Sequence, residues 1–143
     1  MDLLEGVERA LDQNDDNAVD DAVRELVERV DDVADAPLIA LCERLKGARS
    51  FDPLGFVADA AIASGRGGGF WAYLVQSHIE RGRYATATAV IEQALDTDLP
   101  LDERLRLRGN QGRIRKDRYL AHRSGDDLVA AVDAYASGVR EGG

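Results

Sequence analysis

Cysteine and histidine are scarce in this sequence, and their scarcity excludes several kinds of site. Cys42 is the single cysteine, so the chain can form no internal disulfide and no cysteine-based metal cage. Its neighbours Leu41 and Leu45 favour a small buried residue over a reactive thiol. The two histidines, His78 and His122, lie far apart with no cysteine or histidine at ligand spacing. We therefore expect neither a metal site nor a cofactor.

Long apolar runs and an excess of positive charge are also missing. No run approaches the roughly 20 residues that cross a bilayer, and the first residues, MDLLEGVERALD, are acidic and amphipathic, unlike a signal peptide. With 27 acidic against 18 basic residues the net charge is −9, which argues against general binding to nucleic acid or to an anionic membrane. We expect a cytoplasmic protein.

Strand patterns are absent, because no stretch alternates polar and apolar residues over a strand length. Apolar residues recur instead at intervals of three and four, as in residues 19–30. We predict an all-α fold of antiparallel helical hairpins, stacked as a short α-solenoid. One predicted helix has Asp52 as its N-cap and Pro53 in its first turn. Others are predicted over residues 37–49, 69–81, 84–97, 101–122 and 126–140.

Residues 69–100 combine the pattern W-x-x-L with a later G-x-Y-x-x-A-x-x-x-I-x-x-A and a proline. Gly82 supplies the positive φ that a sharp helix end often requires, and the small side chains of Ala87 and Ala94 let two helices approach closely. This set resembles the tetratricopeptide repeat, a helical hairpin of about 34 residues. The resemblance implies that Trp71 packs inside the hairpin rather than serving as an exposed anchor.

The same resemblance divides a single domain of 143 residues into four parts. They are an acidic N-terminal helical pair over residues 1–36, a degenerate hairpin over 37–66, the best repeat-like unit over 69–100 and a second such unit over 101–140. The first part holds 13 acidic residues against 3 arginines, a net charge of −10.

The segment LRGNQGRIRKDRYLA, followed by LVAAVDAYASGVRE, is similar to a second repeat region. That region is associated with the TRAF-binding domain of MAP-kinase-kinase-kinases and with bacterial signalling and conflict-system proteins. There a GRIYKD run precedes the helix, and Arg115 stands here in place of the tyrosine. The resemblance implies a sensor or scaffold in a signalling or defence protein, with an effector domain flanking it in a longer chain.

Catalytic constellations are not found. The glycine-rich run SGRGGGF lacks the preceding strand and the following Lys-Ser or Lys-Thr of a phosphate loop. Ser77 and His78 are adjacent in a predicted helix, so their side chains point about 100° apart and cannot readily share a hydrogen bond. The paired acids, such as Asp15 with Asp16, are typical of solvated helix faces. We expect no enzymatic activity.

A basic segment is the most informative feature for function. Residues 104–123 hold seven arginines and one lysine against one aspartate, a net charge of +7. At 100° per residue, one group of basic residues falls within about 80° on a single helical face. We name this face the basic stripe; its members are Arg104, Arg108, Arg115, Arg118 and His122. The predicted core face beside it comprises Leu101, Leu105, Gly109, Gly112, Tyr119 and Leu120.

Two interpretations of the basic stripe stay open. Guanidinium groups favour carboxylate or phosphate, so the stripe fits an external anion, or else acidic neighbours neutralise it. The candidate neutralisers are Asp102, Glu103, Asp117 and the acidic N-terminal helices.

The function that follows is a non-enzymatic protein-interaction module, which binds an acidic peptide or a partner domain through the stripe. Trp71, His78 and Tyr119 would add apolar contact. The alternative is a sensor whose arginines hold a nucleotide or another phosphate messenger, and a small enzyme with an unfamiliar site is a third possibility.

Overall fold

The computed structural model describes residues 2–66 and 69–122, and the fold in these two ranges is all-α, as predicted. No strand occurs in either range. Seven α-helices are found there: α1 (Leu3–Asp12), α2 (Asp16–Glu28), α3 (Asp35–Gly47), α4 (Phe51–Ala63), α5 (Phe70–Glu80), α6 (Tyr84–Leu95) and α7 (Leu101–His122). A short 3₁₀ helix, Val30–Asp32, follows α2. The helix predicted over 126–140 lies outside the described residues.

Aspartate caps fix the starts of the first two helices. The side chain of Asp2 accepts a hydrogen bond from the backbone N–H of Leu4, and that of Asp15 accepts one from Ala18, both at 3.1 Å. Each bond satisfies one of the N–H groups that the first turn of a helix leaves without a partner.

The predicted cap of α4 is wrong. Ser50 is the N-cap, and Asp52 already lies inside the helix, which begins at Phe51. Pro53 is in the first turn as predicted. The first turn tolerates proline at more than one position, because its N–H groups have no partner within the helix, and the proline therefore did not locate the start to the residue.

The chain divides into two compact units, Met1–Ser77 and His78–Gly143, and the division falls inside α5. In the first unit, α1 packs against α2 and α3, and α4 packs against the same two helices. Helix α4 can pack against both α2 and α3 because it has a fully buried apolar face, on which the alanines let neighbouring helices approach closely. The 0% exposed residues of this face are Leu54, Val57, Ala58 and Ala61.

Polar contacts join distant segments of the first unit. Arg66 donates from Nη2 to the carbonyl oxygen of Val30 at 2.9 Å. Its Nη1 lies 3.2 Å from Oδ1 of Asp35, a charge contact without hydrogen-bond geometry. The Tyr73 hydroxyl donates to Glu43, which ties the start of α5 to α3.

In the second unit, α6 packs against α7. The buried residues of α6 are Ala87, Ile91 and Ala94, the face that the repeat pattern predicted. Gly82 has φ of +73°, as predicted. Its N–H donates to Ile79 O at 3.0 Å, while the N–H of Arg83 donates to His78 O at 2.9 Å. These two bonds form the Schellman motif that ends α5. The stacking of hairpins into a solenoid and the four-part division of one domain stay predictions.

Candidate interaction site on α7

The buried face of α7 differs from the predicted one. Leu107 is 0% exposed and Ile114 is 2% exposed, whereas Leu101 and Leu120 are 50% and 61% exposed. Leu105, Gly109 and Tyr119 are half-buried, and only Gly112 of the predicted core face is buried. The prediction was wrong because the large apolar residues of α7 point in several directions around the helix. Their spacing alone therefore did not indicate that Leu107 and Ile114, seven residues apart, are the buried pair.

Arg104 serves a structural purpose as well as carrying charge. Its Nη1 donates to the carbonyl oxygen of Leu95 at 3.3 Å, and Leu95 is the last residue of α6. The carbonyl groups of a final helical turn have no partner within the helix and carry partial negative charge, so a cation is stabilising there. Arg104 thereby joins the end of α6 to the start of α7.

The remaining arginines of the stripe differ in exposure. Arg108 is half-buried and donates from Nη1 to Oε1 of Gln111 at 3.1 Å. Arg115 is half-buried, and Arg118 is exposed. Tyr119 is half-buried at the edge of the stripe. His122 ends α7, and its side chain lies outside the described residues.

One of the predicted neutralisers pairs with an arginine outside the stripe. Asp117 lies 3.7 Å from Nε of Arg113, and Nη2 of the same arginine donates to Glu80 at 2.8 Å. This pairing connects α7 to the end of α5 within the second unit. Asp102 is exposed and Glu103 is 5% exposed, so Glu103 belongs to the buried side of α7.

His78 lies on α5 and is half-buried. Its Nδ1 is 3.3 Å from Nη2 of Arg81, one turn later on the same chain. A protonated arginine can only donate, so this contact makes Nδ1 an acceptor. His78 therefore presents its side chain to Arg81.

The groups considered for catalysis or metal binding are engaged elsewhere. The Ser77 hydroxyl is buried and donates to the carbonyl oxygen of Leu74 at 2.7 Å. Cys42 is 0% exposed, as expected of a packing residue, and burial, with a smaller effect from Glu43, raises the pKa of its thiol to about 12. Residues 2–66 and 69–122 contain no cluster of three or more metal-ligating side chains, and no helix in those ranges is long and apolar enough to span a bilayer.

The sequence indicated that Trp71 is a packing residue and gave no prediction for Phe56; the packing of Trp71 inside the predicted hairpin stays a prediction. Trp71 is 7% exposed, which agrees with packing rather than with an exposed anchor, whereas Phe56 is 67% exposed. Helical spacing places Phe56 opposite the buried face that includes Leu54 and Val57. An aromatic residue opposite the apolar stripe of its own helix was the sequence feature that could have identified it.

Comparison with models of protein families, with curated proteins and with solved structures gave no match. The tetratricopeptide resemblance therefore depends on the residues quoted above alone.

Proposed function

We propose that the chain is a non-enzymatic protein-interaction module of a cytoplasmic signalling or defence protein. The basic stripe of α7 binds carboxylates of an acidic peptide or of a partner domain. The observation that carries this proposal is the charge of residues 104–123, net +7 within a chain of net −9. A local field of this sign in an acidic protein selects anionic partners and speeds their association.

The geometry of the stripe supports carboxylate binding. Arg118 is exposed to solvent, whereas Arg108 and Arg115 are half-buried, and neighbouring atoms therefore restrict the side chains of these two. A planar guanidinium can form two parallel N–H···O bonds with one carboxylate. Ordering the side chain in advance lowers the entropy that binding costs.

The experiment measures the affinity of a fluorescent acidic peptide, rich in Glu and Ala, for the full chain at low salt. Charge-assisted bonds contribute about 1.5 to 3 kcal/mol each when partly desolvated. Arg115 is half-buried and Arg118 is exposed, so only the bond from Arg115 reaches this range. We therefore expect Arg115→Gln/Arg118→Gln to weaken binding about 10- to 100-fold. The matched control is Arg106→Gln/Lys116→Gln, which removes the same charge from exposed positions off the stripe on the same helix.

Three outcomes separate the interpretations. Loss in the stripe variant alone supports the proposal. Equal loss in both variants reduces the effect to net charge and contradicts a defined site. Unchanged affinity with a lower melting temperature in the stripe variant makes the arginines structural. ATP is tested in parallel, because tighter stripe-dependent binding of a nucleotide than of the peptide favours the messenger sensor.

A further inference from the structure

A groove runs between α2 and α4 in the first unit. It consists of three adjoining hollows that share lining residues, and the central one has a volume of about 310 Å³. Asp20 and Pro53 belong to both the central hollow and one neighbour, while Val27 and Phe56 belong to the central hollow and the other. We call this feature the α2–α4 groove.

The central hollow of the groove has an apolar floor. Val23 and Pro53 are buried, Val27 is half-buried, and Phe56 projects with 67% of its surface exposed. An exposed phenylalanine among aliphatic neighbours leaves a large apolar area in water, and covering that area with apolar groups is favourable. Phe56 is therefore placed to contact an apolar side chain of a partner.

The rim of the groove is acidic. Two arginines, Arg24 and Arg49, are among the lining residues. Six carboxylates line the three hollows as well: Asp16, Asp20, Glu28, Asp31, Asp52 and Asp59. Carboxylates concentrated around an apolar surface repel one another and attract cations. The acidic rim thus favours a positively charged partner, and the apolar floor favours a partner with apolar side chains.

We propose that the α2–α4 groove docks a basic amphipathic helix of a partner protein. The helix places a large apolar side chain against Phe56, Val27 and Pro53, and its flanking lysines or arginines meet the rim. A groove between two helices suits a third helix, whose apolar residues recur at three and four on one face. This site is separate in charge and chemistry from the acidic ligand proposed for α7, and neither proposal depends on the other.

The probe is a designed peptide of about 18 residues with leucines along one helical face and lysines elsewhere. Its affinity for the full chain is measured by titration calorimetry or fluorescence. Phe56→Ser should lower the affinity about 10-fold or more, because an anchor at the centre of a contact carries much of the binding energy. Leu101→Ser is the matched control, since Leu101 is another exposed large apolar residue, 50% exposed, outside the groove.

The rim is tested with charge changes on one helix. Asp20→Asn/Glu28→Gln neutralises two rim carboxylates, and Asp21→Asn/Glu25→Gln neutralises two exposed carboxylates of α2 that do not line the groove. The rim variant should weaken binding several-fold more than its control. Melting temperatures within a few degrees of the parent confirm that each exposed substitution leaves the fold intact.

Three results would overturn the proposal. The first is equal affinity of the Phe56→Ser and Leu101→Ser variants. The second is equal binding of a peptide of the same composition whose leucines are scattered around the helix, which indicates charge attraction alone. The third is Phe56-dependent self-association of the protein in sedimentation, which assigns the groove to a second copy of this chain.

Discussion

Residues 1–36 and residues 104–123 carry opposite charges of similar size, net −10 and net +7, on surfaces of different chemistry. The carboxylates around the α2–α4 groove surround an apolar floor that includes Phe56, whereas the arginines of the basic stripe lie beside the half-buried Tyr119. Charge steers and orients a partner, while burial of apolar surface supplies much of the affinity. Salt should therefore weaken partner binding to a different degree at these two oppositely charged surfaces.

The helices of the first unit and α7 also differ in how they are packed. In α1 to α3 the buried residues recur along one face of each helix. In α4 a wider part of the surface is buried, and four of its side chains are 0% exposed. In α7 the leucines are distributed around the helix, and two of them, Leu101 and Leu120, are exposed. The first unit therefore has a conventional apolar core, whereas α7 combines a narrow buried face with a wide charged surface.

The largest expected effect compares a leucine of each region. Leu54→Ala removes a side chain that is 0% exposed, and Leu101→Ala removes one that is 50% exposed. The cavity left by the first should lower the free energy of unfolding by about 2 to 5 kcal/mol, and the second should change it by less than about 0.5 kcal/mol. Chemical denaturation measures both. Similar losses would remove the contrast between a packed first unit and an exposed α7.

A smaller effect, the pH dependence of stability, tests whether solvent is excluded from Cys42 in the first unit. Burial raises the pKa of its thiol from 9.0 to about 12, so between these values the unfolded chain loses a proton that the folded chain keeps. The contribution of the protonated thiol to the free energy of unfolding is therefore fully present below pH 9 and is lost as the pH rises. Relative to Cys42→Ala, the parent should lose about 1 kcal/mol of unfolding free energy between pH 8 and pH 10. The native thiol should also resist a thiol reagent at pH 8, and rapid labelling would show that solvent reaches it.

The smallest effect compares two glycines of the second unit. Gly109 is helical, and a Cβ there would meet nothing within 4 Å, so Gly109→Ala should stabilise the protein by about 0.5 to 1 kcal/mol. Gly82 has φ of +73°, and Gly82→Ala should destabilise it by about 1 kcal/mol, because a side chain is strained in that conformation. Thermal melts give the two signs. The same sign for both would contradict the Schellman end of α5 or the helical position of Gly109.

Local patterns in the sequence were sufficient to predict most of the helices. The apolar spacing and the glycine at position 82 gave α5 and α6 within two residues at each end, and they gave the buried face of α6. These features depend on contacts between residues three and four apart, which a sequence displays directly. The start of α4 was misplaced because Asp52 and Pro53 are compatible with more than one position in a first turn.

The candidate sites were harder to predict from the sequence than the helices were. The basic stripe follows from residue type and helical period, but the buried face of α7 depends on tertiary packing, which selected Leu107 and Ile114 from several leucines and one isoleucine. The α2–α4 groove was not predicted, because it requires α2 and α4 to pack against each other, and no local pattern states that pairing. The contribution of Phe56 to a groove could not be predicted without knowing which residues of α2 lie beside it.

The most direct measurement is a salt titration of two peptides against the full chain, one rich in Glu and Ala and one with the lysine and leucine pattern. Between roughly 0.05 and 0.5 M salt the Debye length falls from more than about 10 Å to less than about 5 Å. Over this range the affinity of the acidic peptide should fall about 10-fold or more. The basic amphipathic peptide should lose several-fold less, because apolar contact with Phe56 persists in salt. Equal losses for both peptides, or a salt-insensitive acidic peptide, would contradict the distinction between the basic stripe and the α2–α4 groove.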